Sequence, residues 1–364
     1  MRGRTKGEGS VWFSKQRKKW VAQFTLPNGK RRSKSCATKK EALDWITAEK
    51  SKASKGLFVA DDQMKLGDFL ASYMSNVAEH SLRPTTLQSH WSLINNHIIP
   101  ELGNIRVSKL QPHHVQHFYG QKLDEGLSKR TVRYLHAILH KSLNHAVRWG
   151  LVIRNVADLV DVPSPSRKPP NIWTVDQVQQ FLRATEGHRF YPMYVVAIYC
   201  GLRKGEILGL HKDDIRIDKG VINVRHQVTY VRGRGSVISE PKTDKAKRQV
   251  TLPPFAIEVL RQHLDTLKDN QALIFTTSTG KPISGRNVVR HFKSVIEKEG
   301  LPNIRFHDLR HFHATTLLTA GVHPKVVQER LGHSQISLTL DTYSSVVPTL
   351  QEQAAEQFEE IMTI

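Results

Sequence analysis

Side chains able to do chemistry fall in five short segments. Gly201-Leu202-Arg203-Lys204-Gly205-Glu206-Ile207-Leu208-Gly209-Leu210 sets Arg203 and Glu206 three residues apart, on one helix face, with Leu202, Ile207 and Leu210 as core anchors. Alone, that pair reads as a surface salt bridge. Phe306-His307-Asp308-Leu309-Arg310-His311-Phe312-His313 puts His307 beside Arg310, two cationic donors that suit a pair of anionic oxygens. Metal binding is the rival chemistry, since His307, His311 and His313 crowd together and the first two have zinc-helix spacing. The glutamate of that motif is missing and Arg310 opposes a cation, so no metal is expected. Gln328-Glu329-Arg330-Leu331-Gly332-His333 closes a short helix at Gly332 and leaves His333 just past its end, where an imidazole is held in a fixed direction. Asp341-Thr342-Tyr343 offers a phenol, which alone is more often a core aromatic than a nucleophile. Lys242 lies in Glu240-Pro241-Lys242-Thr243-Asp244-Lys245-Ala246-Lys247-Arg248, and is one lysine among many.

The elements that must position these groups are legible in part. Val11–Phe13, Trp20–Leu26 and Arg32–Ala37 read as strands, with Asn28-Gly29 as a hairpin turn. Thr38-Lys39-Lys40-Glu41 has capping-box spacing and opens a helix through Leu43, Trp45 and Ile46. Residues 63–150 carry helical periodicity, giving helices over Leu66–Val77, Pro84–Ile98, Pro112–Glu125 and Ser128–Trp149. Four prolines between Asp161 and Pro170 predict an extended linker. Beyond Asn171 the expected order is helices over Val175–Ala184 and Pro192–Cys200, strands from Ile215 to Leu252, then helices from Phe255 onward. Residues 240–250 read as a basic hairpin whose returning strand is Lys247–Leu252. The fold class is therefore multidomain α+β: a β-sheet-plus-helix module (1–57), a four-helix domain (63–150), a linker (161–170) and a mixed, mainly helical domain with a C-terminal tail (171–364). In that tail Leu350, Ala354, Phe358 and Ile361 recur at helical spacing.

Composition narrows the partner. The 364 residues carry 54 Lys and Arg against 33 Asp and Glu, a formal charge of +21. Residues 1–55 hold sixteen of those cations and four of the anions, more than half of the net charge. Such imbalance points to a polyanion, nucleic acid before an anionic membrane. No apolar run approaches a membrane span, and Met1-Arg2-Gly3-Arg4 leads into no signal-like segment. Cys36 and Cys200 are too far apart in sequence for a disulfide framework or a CxxC metal site. These features predict a soluble, intracellular nucleic-acid-binding protein without a membrane partner.

Each segment is weak alone, but the ordered set Arg203, Lys242, His307-x-x-Arg310, His333, Tyr343 resembles that of the tyrosine recombinases, the phage-integrase family. The matching stretches are GLRKGEILGL, PKTDKAKRQV, HDLRHFHATTLL, LGHS and DTYSSV. By this resemblance the helical domain is a core-binding domain and the basic module an arm-type DNA-binding domain. It implies a site-specific recombinase (integrase) that cleaves and rejoins DNA through a 3′-phosphotyrosine on Tyr343, integrating or excising a phage or other mobile element. Arg203 and Arg310 would hold the non-bridging oxygens, His307 act as an acid/base, His333 donate a hydrogen bond, and Lys242 protonate the leaving 5′-oxygen. Glu206 would orient the cluster from behind. No cofactor and no metal are implied. The implied partners are double-stranded DNA attachment sites, a homotetramer on DNA, and an excisionase or DNA-bending accessory protein, in a bacterial cytoplasm near the nucleoid. A type IB topoisomerase-like relaxing enzyme and a catalytically dead DNA-binding relative are the alternatives.

Overall fold

The computed structural model describes residues 9–25, 31–54, 63–165, 171–241, 246–268, 271–333, 335–336, 355–356 and 358–362. The chain divides into two compact units, Met1–Ser166 and Arg167–Ile364.

In the first unit, β1 (Ser10–Ser14), β2 (Lys19–Thr25) and β3 (Arg31–Cys36) form an antiparallel sheet in sequence order. The Asn28-Gly29 turn lies outside the described residues. Helix α1 (Lys39–Ser54) starts as its capping residues require: the Glu41 amide donates to Thr38 Oγ1 at 3.2 Å, and the Ala37 amide to Glu41 Oε2 at 3.0 Å. Ala22, Cys36, Ala42 and Ile46 make the small core beneath it, while Trp12 and Phe13 stay exposed.

Two helices follow that run further than their sequence periodicity suggests. Helix α2 (Leu66–Tyr73) passes through a π turn at Met74–Ala78 into α3 (Glu79–Ser81). Likewise α4 (Pro84–Leu93) passes through Ile94–Ile98 into α5 (Ile99–Leu102). Each π turn begins and ends on a buried residue, Met74 and Ala78 or Ile94 and Ile98, so the wider turn keeps the apolar stripe facing inward. Helices α6 (Pro112–Asp124) and α7 (Lys129–Arg148) stop before Gly126 and Gly150, as expected. They enclose Phe69, Phe118, Leu135 and Leu139, each fully buried apolar side chain contributing roughly 1.5–3 kcal/mol.

The second unit is built around α9 (Tyr191–Cys200), apolar on all sides and therefore buried. Helices α8 (Val175–Thr185), α11 (Pro254–Asp265) and α12 (Gly285–Lys298) surround it. Phe181, Tyr194, Phe292 and Phe306 meet at centroid separations of 4.9–6.2 Å. Short α10 (Lys204–Leu208) leads to β4 (Ile215–Arg216) and β5 (Val221–Val224); α13 (Asp308–Thr319) and α14 (Pro324–Leu331) follow later. The returning strand β8 (Arg248–Thr251) is where the sequence puts it, but its partner is not. It pairs with β5, whereas β6 (Gln227–Val231) and β7 (Gly235–Ser239) form a separate two-stranded ribbon. The 240–250 hairpin reading is thus corrected. Val250 and Leu252 are drawn to Ile222 and Val224 in the core, a gain that β7 does not offer.

Candidate active site

The site begins where α9 ends. Gly201 is left-handed, with φ 65°. A Cβ there would lie 2.6 Å from His313 Cδ2 and 2.9 Å from Leu331 Cδ2, so only glycine lets α13 and α14 press against this turn. Two residues on, Arg203 caps α10. Its amide donates to Glu206 Oε2 at 2.9 Å and its Nη1 to Oε1 at 2.7 Å. One carboxylate therefore caps the helix and aims the guanidinium.

Glu206 is only 2% exposed, which rules out a surface salt bridge. Arg248 reaches it from β8, with Nη1 on Oε1 at 3.1 Å and Nη2 on Oε2 at 3.0 Å. Burial alone would raise the Glu206 pKa, but Arg248, then Arg203 and Arg310, outweigh it and bring it down to about 2. The carboxylate is a fixed negative charge behind the arginines.

Arg310 is held by backbone carbonyls. Its Nη1 donates to the Gly201 carbonyl at 2.7 Å and its Nη2 to the Leu331 carbonyl at 2.5 Å. Those carbonyls lie two residues before Arg203 and two before His333, so Arg310 ties together both segments that carry its partners. Asp308 fixes the start of its helix by accepting from the Arg305 amide at 2.7 Å and Arg305 Nη2 at 2.8 Å. His307 occupies the cap position one residue earlier and is exposed. The protein crowded around it, then His311, Arg310 and Arg203, hold its pKa below the ordinary imidazole value.

His333 sits on a Schellman turn: its amide donates to the Gln328 carbonyl at 3.1 Å, and that of Gly332 (φ 66°) to Glu329 at 3.0 Å. Gln328 Nε2 donates to the His333 carbonyl at 3.0 Å, and Arg203 Nη2 to that of Gly332 at 3.4 Å. Burial, then Arg310, Arg203 and Arg248, push its imidazole down to about 3. Arg203, Glu206, His307, Arg310 and His333 therefore share one electrostatic neighbourhood. Lys242 and Tyr343 lie outside the described residues.

The histidine cluster resolves differently from its sequence appearance. His313 is buried behind the arginines, with Nδ1 2.9 Å from the Ile198 carbonyl and Nε2 accepting from Arg330 Nε at 3.0 Å. Both nitrogens are engaged, so it cannot join His307 and His311 on a cation. Elsewhere His211, Asp214 and His226 bring ligand-type atoms within 4.8 Å of one another. There Arg225 Nε already holds Asp214 Oδ1 at 2.5 Å and the His211 amide holds Oδ2 at 3.0 Å. His211 Nδ1 is itself 3.0 Å from the Gly209 carbonyl. Asp214 and His211 are thus committed to a structural turn, and the carboxylate faces a guanidinium; His226 Nδ1 is buried without a hydrogen-bond partner among the described residues.

Two arginines escape the sequence reading. Arg330 bonds the Tyr199 carbonyl at 3.1 Å besides His313. Arg248 shares the inward face of β8 with buried Val250, and Leu252, just past the strand, is buried in the same register. The alternation Arg248-x-Val250-x-Leu252 carried the signal, because an arginine in an apolar register needs a buried acid.

Comparison with known proteins agrees with this architecture. The Phage integrase family matches residues 172–348, and the Phage integrase N-terminal SAM-like domain matches residues 65–123. The chain is 28% identical over 361 residues to the tyrosine recombinase XerC-like protein of Caldanaerobacter subterraneus subsp. tengcongensis, covering 92% of this chain and 90% of that protein. It is 24% identical over 341 residues to the ICEBs1 integrase of Bacillus subtilis, covering 90% and 91%. Its fold is similar to that of the Tn1549 transposon integrase in complex with a circular intermediate DNA, with TM-score 0.71 at 22% identity over 80% of this chain and 99% of that one. A lambda integrase tetramer bound to a Holliday junction gives TM-score 0.60 at 17% identity, over 90% and 96%. The chain belongs to the phage integrase family, the tyrosine-type site-specific DNA recombinases.

Proposed function

We propose that this chain is the integrase of a mobile element, cleaving and rejoining double-stranded DNA at attachment sites with Tyr343 as the nucleophile. The observation that carries the reading is the Arg203–Arg310 pair. Two permanently charged planar donors are fixed by a buried carboxylate and by backbone carbonyls, beside neutral His307 and His333. That arrangement suits the negative charge that grows on the non-bridging oxygens as phosphorus passes through its trigonal-bipyramidal state. The phenol oxygen of Tyr343 bonds to phosphorus as the bond to the 5′-oxygen breaks. A neutral His307 can take the phenol proton, and Lys242 supplies one to the departing oxygen. The energy of the broken ester is kept in the 3′-phosphotyrosine, so rejoining needs no nucleotide cofactor.

The domain roles follow from the same reading. Residues 1–57 are the arm-type DNA-binding domain, and their sheet leaves Trp12 and Phe13 exposed among the basic residues. The helices of 63–150 form the four-helix core-binding domain, 161–170 the linker, and 171–364 the catalytic domain. A homotetramer on paired DNA sites is the working assembly, with an excisionase or DNA-bending protein as accessory and the nucleoid of a bacterial host as its place of action. The tail docks through the face that bears exposed Phe358 and Ile361; Leu350 and Ala354 lie outside the described residues.

A nicked suicide duplex carrying the attachment core tests the reading. The wild-type protein should leave a covalent protein–DNA band on a denaturing gel, and Tyr343→Phe should bind the duplex equally but leave none. A persisting band in the variant removes Tyr343 from the role. Relaxation of a single-site plasmid without exchange between two sites would establish the topoisomerase-like alternative, and absence of any adduct the catalytically dead one.

A further inference from the structure

We propose that Arg248 is a positioning residue for strand cleavage, holding Arg203 and the His333 turn in mutual register through the Glu206 carboxylate and the Arg330 carbonyl. The inference rests on the functional reading above and adds to it a group that never touches the DNA. Arg248 is buried, its side chain 6% exposed, behind an Arg203 whose side chain is 36% exposed. Between them lies Glu206, with both oxygens used twice. Oε1 accepts from Arg203 Nη1 and Arg248 Nη1, and Oε2 from the Arg203 amide and Arg248 Nη2.

A carboxylate held by Arg203 alone would keep a torsional freedom that passes directly to the Arg203 guanidinium. The two-point bond from the rear removes it, because a planar fork fixes the plane as well as the position of its acid. The remaining donors of Arg248 fasten this unit to its surroundings. Nε donates to the Arg330 carbonyl at 2.7 Å, and Nη1 also reaches the Ala246 carbonyl at 3.1 Å. Arg330 precedes the Gly332-His333 turn by two residues, and its own guanidinium bonds Tyr199 on α9 and His313 on α13. Arg248 is thus where β8, α10 and α14 meet. No lysine can reproduce this, since one ammonium cannot span two carboxylate oxygens and a carbonyl in a plane.

The charge of Glu206 depends on the same contact. The groups facing it are Arg248, Arg203 and Arg310, and burial opposes all three. Without Arg248, burial gains the upper hand and the carboxyl takes up a proton on the acid side, releasing Arg203.

The test uses the full-length protein and the suicide duplex that the wild type cleaves; failure of the wild type would count against the functional reading and not against Arg248. Arg248→Lys keeps the charge and should fold. Its single-turnover cleavage should fall about 10- to 100-fold, the scale of a misplacement of roughly 1 Å, while duplex affinity stays near wild type. Arg248→Met should also acquire a pH dependence, its rate relative to wild type falling as pH is lowered from about 8 to 6. Adding Glu206→Gln should flatten that dependence. Cleavage by Arg248→Lys at the wild-type rate, or a deficit matched by equal loss of affinity, would overturn the proposal. A wild-type pH profile in folded Arg248→Met would overturn the route through Glu206. Should the Met variant not fold, the Lys variant decides.

Discussion

Arg330 Nε donates to His313 Nε2 across 3.0 Å, 17 residues back along the chain. Since guanidinium nitrogen can only donate, Nε2 must be the bare nitrogen and Nδ1 the one that carries hydrogen to the Ile198 carbonyl. His313 is therefore a neutral structural strut. Burial, then the charge of Arg330, hold its pKa down to about 3.

The pH dependence of stability follows. An unfolded histidine titrates near 6.5 and folded His313 near 3, so between those values the unfolded chain binds a proton that the fold refuses. Stability should rise with pH across that window, by up to roughly 1.4 kcal/mol per pH unit for each such histidine. Urea midpoints measured from pH 7 to pH 4 should decline in the wild type and decline less steeply in His313→Gln. Equal slopes would show that His313 does not contribute.

Arg203→Ala and Arg310→Ala should each reduce single-turnover cleavage by a few orders of magnitude, the scale of losing a transition-state donor worth roughly 3 kcal/mol or more. Lysine at either position should rescue poorly. Excess EDTA should leave wild-type cleavage intact, because the protein's own cations neutralise the phosphate. Near-wild-type rates in either alanine variant would remove that arginine from the clamp.

Gly201→Ala should destabilise the second unit by ~1–3 kcal/mol through overpacking against His313 and Leu331, with the left-handed φ adding to it. Differential scanning calorimetry should find the lower transition temperature, and an unchanged one would contradict the close approach seen at this turn.

Deleting residues 1–55 should abolish protection of a second class of DNA site while core-site cleavage remains detectable. The segment carries its own hydrophobic cluster and over half of the net charge, yet none of the proposed catalytic residues. Footprints of the full and shortened proteins that coincide would refute an arm-binding role.

Much of this could be read from the chain because local rules sufficed. Thr38 and Glu41 announce a helix start, and the order of Arg203, His307, Arg310 and His333 survives folding as a spatial cluster. What could not be read depended on contacts distant in sequence. Nothing near Arg248 in the sequence says that its acid is Glu206, 42 residues earlier. The strand at 248–251 was visible, but which strand would take it depended on a core assembled from Ile222, Val224 and Val250. For the histidine trio, the sequence argued against a metal from the missing glutamate and from Arg310, but it could not name the partners that occupy His313, the Ile198 carbonyl and Arg330. The π turns at Met74–Ala78 and Ile94–Ile98 break the period on which helix lengths are judged, so the periodicity places the ends of both helices too early.

The pairing of β8 has a mechanical consequence. Ser239 ends a strand of the ribbon and Arg248 begins a strand of the other sheet, so the eight residues from 240 to 247 span two separate supports. A hairpin loop travels as one piece with its stem, whereas a bridge feels the difference between its abutments. The chain can reach at most roughly 3.3–3.6 Å per residue, so the number of residues between Ser239 and Arg248 bounds how far ribbon and sheet can separate. On the proposed assignment of Lys242, proton delivery to the departing 5′-oxygen would then answer to the movement of two sheets and not of one.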